Sequence, residues 1–155
     1  MYRRGLMGRP LHHAALCVRD LAASLRFYRD GLGLDVMMDH TFDGDWPTLF
    51  DARSGTLRSV FLGDASIPDA GVVELVAFEG SVDDGPPPGP PATGFFLLSF
   101  FVSVDDTLAR LEDLGLGGPP RRVVQPAPHG AVAMATVRDP DGVLVELIEA
   151  GQAHQ

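Results

Sequence analysis

The sequence predicts an α+β fold built from two β-α-β-β-β modules, each with a curved mixed sheet. Three observations carry that expectation. The order strand, aspartate, short helix, Gly-x-Gly, several strands occurs twice. The 18 glycines and 13 prolines in 155 residues force frequent turns, which favours short strands over long helices. A proline-rich stretch at 81–93 separates the two copies and reads as an extended spacer. The expected organisation is a flexible tail at 1–10, a first module at 11–80, the linker at 81–93 and a second module at 94–150. Together the two modules make one domain.

Leu11–Val18 opens the first module as a strand. Alternation places His13, Ala15 and Cys17 on one face and His12, Ala14, Leu16 and Val18 on the other. Asp20 then reads as a helix cap. Leu21, Leu25, Tyr28 and Leu32 follow at helical spacing, and Gly31 and Gly33 end the helix. Asp35–Met38, Thr48–Phe50 and Leu57–Leu62 read as short strands, and Val72–Phe78 as a stronger one. In the second module Phe95–Val104 is a strand, Asp105 and Asp106 cap a helix carrying Leu108, Leu111 and Leu114, and Gly115 to Gly118 end it. A loop with Pro119, Pro120, Pro126 and Pro128 leads to strand Ala131–Val137. The turn Asp139-Pro140-Asp141-Gly142 and the strand Val143–Glu149 close the module.

Composition sets bounds. The chain is 45% hydrophobic and 21% charged, as a globular domain with a core requires. Its formal net charge of −9 argues against a nucleic-acid backbone as partner. One cysteine, Cys17, excludes an internal disulfide. The longest apolar stretch, Phe95–Val104, is broken by serines and too short to span a bilayer. The expectation is a soluble, cytoplasmic protein without a membrane partner.

The repeat pairs the residues that can carry chemistry. Overlaying His13–Asp20 on Ser99–Asp106 matches His13 with Ser99, and overlaying Val73–Val76 on Val145–Ile148 matches Glu74 with Glu146. Glutamate is rarely buried without a partner. Two readings are open for the pair: solvated strand faces, or a polar cavity in which both carboxylates share a cation. One histidine and two glutamates suit a hard or borderline divalent cation. A lone histidine such as His13 is more often a hydrogen-bonded core residue than a ligand. Trp46, Arg58, Phe101 and His129 are further candidates to line a ligand site. No Gly-x-Ser-x-Gly elbow, phosphate-binding loop or dinucleotide-binding Gly-x-Gly-x-x-Gly is present.

The segments His13-x4-Val18-x-Asp20, Ser24-x-x-Phe27-Tyr28, Gly31-Leu-Gly33-Leu34 and Asp139-Pro140-Asp141-Gly142-x3-Glu146-Leu147 resemble the vicinal oxygen chelate superfamily. That superfamily includes glyoxalase I, methylmalonyl-CoA epimerase, extradiol dioxygenases, and fosfomycin- and bleomycin-resistance proteins. The resemblance spans about residues 11–150. It implies paired modules whose sheets curve around a glyoxalase-like cavity. It also implies a homodimer, a small-molecule substrate and a divalent metal ion (Ni, Co, Zn, Mn or Fe).

By that resemblance His13, Glu74 and Glu146 fall on metal-ligand positions. The fourth position falls on Ser99, where glyoxalase-like enzymes usually carry histidine. The departure counts against an extradiol dioxygenase, whose pattern needs the second histidine. The resemblance implies a glyoxalase- or epimerase-like lyase or isomerase. Its substrate has two adjacent oxygens, Glu146 and Glu74 serve as catalytic carboxylates, and Ser99, Phe101, Trp46, Arg58 and His129 contact the substrate. The contrasting expectation is a metal-free drug-sequestering protein of the bleomycin-resistance type, with stacking from Phe95, Phe101 and Trp46.

Overall fold

The computed structural model describes residues 8–151, and residues 1–7 of the expected tail lie outside the described residues. The elements run β1 (His13–Cys17), α1 (Leu21–Leu25), a π-helical turn (Arg26–Gly31), β2 (Asp35–Asp43), α2 (Trp46–Phe50), β3 (Thr56–Gly63), β4 (Val72–Phe78), β5 (Leu98–Val102), α3 (Val104–Asp113), β6 (Arg121–Ala127), β7 (Gly130–Arg138) and β8 (Leu144–Glu149). The strands form two four-stranded sheets, ordered β1-β4-β3-β2 and β5-β8-β7-β6. In each sheet the first strand lies parallel to the last and the remaining neighbours are antiparallel. This is the expected β-α-β-β-β plan in duplicate.

Three local expectations are corrected. Thr48–Phe50 is not a strand. The Asp45 carboxylate accepts the Thr48 N–H at 3.3 Å, Pro47 occupies the first turn, and the segment winds into α2 until Asp51 turns left-handed at φ 55°. The stretch around Pro126 is not a loop but β6. It is the edge strand of its sheet, where a missing N–H costs no ladder bond. Asp105 and Asp106 do not cap α3. They lie in its first turn, and the Val104 N–H is instead satisfied by the Glu149 carboxylate at 2.8 Å.

The chain divides into two compact units. Among the described residues the first comprises 8–21 with 34–82, and the second 22–33 with 83–151. The helical segment following β1 thus belongs to the second unit.

In the first unit, Leu16, Val18, Val60, Leu62, Val73 and Leu75 form one buried face of the sheet. The other face carries His13 and Cys17 on β1, Val72, Glu74 and Val76 on β4, Ser59 and Phe61 on β3, and Met38 and His40 on β2. This assignment follows from the two-residue period of a strand.

In the second unit, Ala135, Val137, Val145 and Leu147 are buried on one face of the sheet, as are Val104, Thr107 and Leu111 of α3. α3 packs on β7, on β8 and on the π-helical turn. The approach is close at Gly31, where an added Cβ would lie 2.5 Å from Leu111 Cδ2. Gly31 is therefore a contact point, whereas Gly33 supplies the left-handed exit at φ 79°.

A polar clasp joins the same helical segment to the 139–142 turn. The Tyr28 hydroxyl donates to Asp139 Oδ2 at 2.7 Å, and the Asp141 and Val143 N–H groups donate to Asp139 Oδ1, each at 2.9 Å. Ser24 Oγ donates to Asp141 Oδ2 at 3.5 Å. The proline segment lies on this turn too. Arg138 donates to the Gly89 carbonyl, and Pro88 is the neighbour a Cβ at Gly142 would meet.

Candidate functional site

In the first unit His13 and Glu74 come together. His13 Nε2 lies 3.4 Å from Glu74 Oε1, with side-chain exposures of 38% and 17%, so a small solute can reach both. The register pairs Glu74 with Ala15, and His13 reaches it diagonally from two residues earlier on β1. Each partner is held from behind. Ser59 Oγ, on a buried residue, donates to Glu74 Oε2 at 2.5 Å. His12 Nδ1 and His13 Nδ1 share a hydrogen bond of 2.9 Å, and the Phe61 ring lies 5.1 Å from the His13 ring. Cys17 occupies the same face. Partial burial first, and then the Glu74 charge, pushes its thiol above the usual value.

In the second unit Ser99 and Glu146 come together. They are direct register partners on the parallel strands β5 and β8, and Ser99 Oγ donates to Glu146 Oε1 at 2.8 Å. Thr136 and Arg121 continue that row across β7 and β6. One step along, the next row is Phe101, Ile148, Met134 and Val123. Phe101 is 55% exposed.

The donor chemistry can be tested against a divalent cation. Two adjacent ligands at about 2.1 Å from an ion lie roughly 3.0–3.4 Å apart in octahedral or tetrahedral shells. The His13–Glu74 separation of 3.4 Å meets that requirement. The His12 contact occupies His13 Nδ1, and Nε2 is the nitrogen turned toward Glu74. The pair therefore fits as half of a first shell. Among the described residues, no group of three or more His, Cys, Asp or Glu side chains is gathered to hold an ion. Ser99, in the repeat position of His13, spends its hydroxyl on Glu146.

The profile of the Glyoxalase/Bleomycin resistance protein/Dioxygenase superfamily matches residues 10–147. The chain belongs to this superfamily. It is 40% identical over 148 residues to the lactoylglutathione lyase-like protein terB of Aspergillus terreus, covering 89% of this chain and 74% of that one. It is 31% identical over 142 residues to a probable lactoylglutathione lyase of Synechocystis, covering 90% and 94%. Among solved structures it resembles a glyoxalase family protein from Bacillus cereus at TM-score 0.69 and 17% identity, covering 90% and 93%. It also resembles the trypanothione-dependent glyoxalase I of Leishmania major at TM-score 0.60 and 23% identity, covering 92% and 87%. At these identities the two structures speak for the fold. No helix among the described residues is long and apolar enough to cross a membrane.

Two of the superfamily motifs quoted from the sequence meet in the second unit. Ser24 and Tyr28 of the first half bond Asp141 and Asp139 of the second. Much of the signature is therefore the clasp, which is structural.

The remaining sequence candidates are placed elsewhere. Arg58 lies on the sheet face opposite Glu74, and its guanidinium grips both carboxylate oxygens of Asp39 at 2.9 and 2.7 Å. That pairing holds Asp39 below the usual carboxylate range. Trp46 opens α2, stacks on Phe50 at 5.6 Å and donates its indole N–H to the Phe42 carbonyl. His129 is exposed at the tip between β6 and β7. Sequence reasoning missed His12 and Ser59 as supporting partners. A signal for Ser59 existed, since it is the one small hydroxyl in the apolar run Val60-Phe61-Leu62 and Leu57, two residues from Phe61 on the Glu74 face.

Proposed function

We propose that this chain is a metal-dependent lyase or isomerase of the glyoxalase or epimerase type, acting on a small molecule with two adjacent oxygens. The observation that carries the reading is the His13–Glu74 pair, a nitrogen and a carboxylate oxygen at ligand-to-ligand distance with a hydroxyl fixing the second carboxylate oxygen. The resemblance to glyoxalase-like proteins assigns Glu146 the further carboxylate, and the repeat matches Glu146 to Glu74. The resemblance gives His13, Glu74 and Glu146 ligand roles, and a divalent ion bound by such residues would supply Lewis-acid polarisation of the substrate oxygens.

The residues themselves do the proton work. Ser99 donates to one oxygen of Glu146, which fixes the carboxylate and leaves its second oxygen as the base. That oxygen takes the proton from the carbon beside the carbonyl. The C–H electron pair passes to the carbonyl oxygen, the same carboxyl returns the proton to the former carbonyl carbon, and the proton of the neighbouring hydroxyl moves to the new alkoxide, so that carbonyl and hydroxyl exchange places. The relatives called lactoylglutathione lyase support the reaction class. The same resemblance implies a homodimer in a cytoplasmic setting, and sedimentation tests the former.

Metal analysis of untagged protein purified without added metal is the deciding experiment. Near-stoichiometric Ni, Co, Zn, Mn or Fe that is lost in Glu146→Ala supports the reading. A folded, metal-free protein that binds a planar drug tightly overturns it in favour of sequestration.

A further inference from the structure

The second sheet sets a carboxylate row beside an apolar row, and most arginines among the described residues bond to other protein groups. The Ser99–Glu146–Thr136–Arg121 row and the Phe101–Ile148–Met134–Val123 row lie on one face, two residues apart along each strand. At about 3.3 Å per residue the rows are some 7 Å apart, about the sum of a carboxylate-to-carbon contact of roughly 3 Å and the roughly 4 Å from that carbon across a carbonyl to the centre of an aryl ring. Phe101 and Val123 are 55% and 57% exposed.

The sequence contains no lysine, so arginine is its only strong cation. On this face the arginines are Arg121 and Arg138. Arg138 donates to the Gly142 and Gly89 carbonyls. Arg121 stands on the edge strand two strands from Glu146, about 10 Å away. Among the described residues, the strands of the first sheet set no arginine on the Glu74 face, because Arg58 points from the other face and binds Asp39. A glutathione conjugate presents two carboxylates and needs guanidinium or ammonium groups to hold them. Here it would meet a chain of net charge −9.

We infer that the substrate is a neutral, aryl-bearing molecule with vicinal oxygens, whose ring rests on the Phe101–Ile148–Met134 row while its acidic carbon faces Glu146, and that it is not carried as a glutathione adduct. This rests on the reading of Glu146 as the base. Aromatic stacking on Phe101 and burial against Ile148 supply the recognition.

The test uses the full-length protein loaded with Co or Ni. Two probes are compared: 2-hydroxyacetophenone, and the hemithioacetal of methylglyoxal with glutathione. Binding is read by calorimetry, and loss of the α-proton signal in D2O is read by NMR. The expected result is binding and exchange of the aryl probe, a roughly tenfold weaker affinity in Phe101→Ala and no more than a twofold change in Arg121→Ala. Turnover of the glutathione adduct with no binding of the aryl probe overturns this inference while leaving the enzyme reading intact. Aryl binding that depends on Phe101 without any exchange supports the ligand class and overturns the enzyme reading. Binding of neither probe overturns the inference. Unchanged melting temperature in Phe101→Ala confirms that the variant is folded.

Discussion

Tyr28 and Asp139 stand 111 positions apart in the sequence and share a 2.7 Å hydrogen bond inside the second unit. Burial above all, and then the Asp139 charge, pushes the Tyr28 hydroxyl far above its ordinary 10. Of the chain's two tyrosines, one should therefore ionise only as the protein unfolds. A raised value means stability is retained below pH 10 and lost as pH climbs beyond it. Phenolate absorbance rising in step with loss of near-ultraviolet dichroism checks this. Tyr28→Phe should cost about 1.5–3 kcal/mol in urea unfolding, because a buried carboxylate loses a donor.

Asp139 titrates with the opposite balance from an exposed salt-bridged carboxylate. Burial raises its value above 3.8, outweighing the hydrogen bonds from Tyr28, Val143 and Asp141 that lower it. The folded state therefore holds this proton more tightly than the unfolded chain. Its contribution to stability is full below pH 3.8 and is lost as pH rises through the raised value. Across that window the urea midpoint should fall more, or rise less, with pH in the parent protein than in Asp139→Asn, the difference being the contribution of Asp139.

Gly31→Ala should destabilise the protein by about 1–3 kcal/mol. The new methyl meets Leu111 Cδ2 at 2.5 Å, and Leu111 is itself fully buried and cannot swing aside. Gly33→Ala tests the other kind of glycine, with a clear φ of 79° and nothing near its Cβ. Its cost should be one of backbone strain, about 1–2 kcal/mol. Thermal melts of the two variants, each compared with a Leu111→Ala background, separate them: only the Gly31 effect should shrink.

Ser59→Ala should leave the fold intact and weaken Co or Ni binding about 10–100-fold, because Glu74 loses the hydroxyl that fixes its second oxygen. Competition with a chromogenic chelator measures the affinity. Unchanged affinity would show that Glu74 is not a ligand.

Ser99→His should strengthen metal binding by supplying a nitrogen donor where a hydroxyl now bonds Glu146. Glu146→Gln should slow solvent exchange of a substrate α-proton about 10²–10⁴-fold, the usual contribution of a positioned base. Isotope exchange followed by NMR reads the second effect apart from the first.

The sequence made the duplicated plan readable because two mid-strand glutamates and two short helical stretches, each with aspartate near its start and Gly-x-Gly at its end, recur at matching places. β4 was legible to the residue, since Val72–Phe78 is strongly apolar and bounded by glycine and glutamate. β6 and α2 were misread for local reasons. Proline argues against a strand unless the strand is at an edge, and edge position is a tertiary fact. Thr48-Leu49-Phe50 has strand composition, and only the Asp45 cap overrides it. The site was half legible. The repeat matches His13 to Ser99 and Glu74 to Glu146, and the family resemblance sets His13 with Glu74, yet the repeat does not extend to register, since Glu74 sits beside Ala15 and Glu146 beside Ser99. The supporting contacts of His12 and Ser59 depend on side-chain direction across neighbouring strands, which spacing alone does not encode.

The helical segment 22–33 belongs to the second unit although its sequence lies within the first half. A cut in the proline stretch would therefore divide the chain at its symmetry point without dividing the molecule into self-sufficient halves. The C-terminal fragment would expose Leu111 where Gly31 had covered it and leave the Asp139 carboxyl without Tyr28. Each fragment would be a folding partner for the other, recoverable by co-expression and not by expression alone. The duplication visible in the sequence has become an obligate complementation between its two copies.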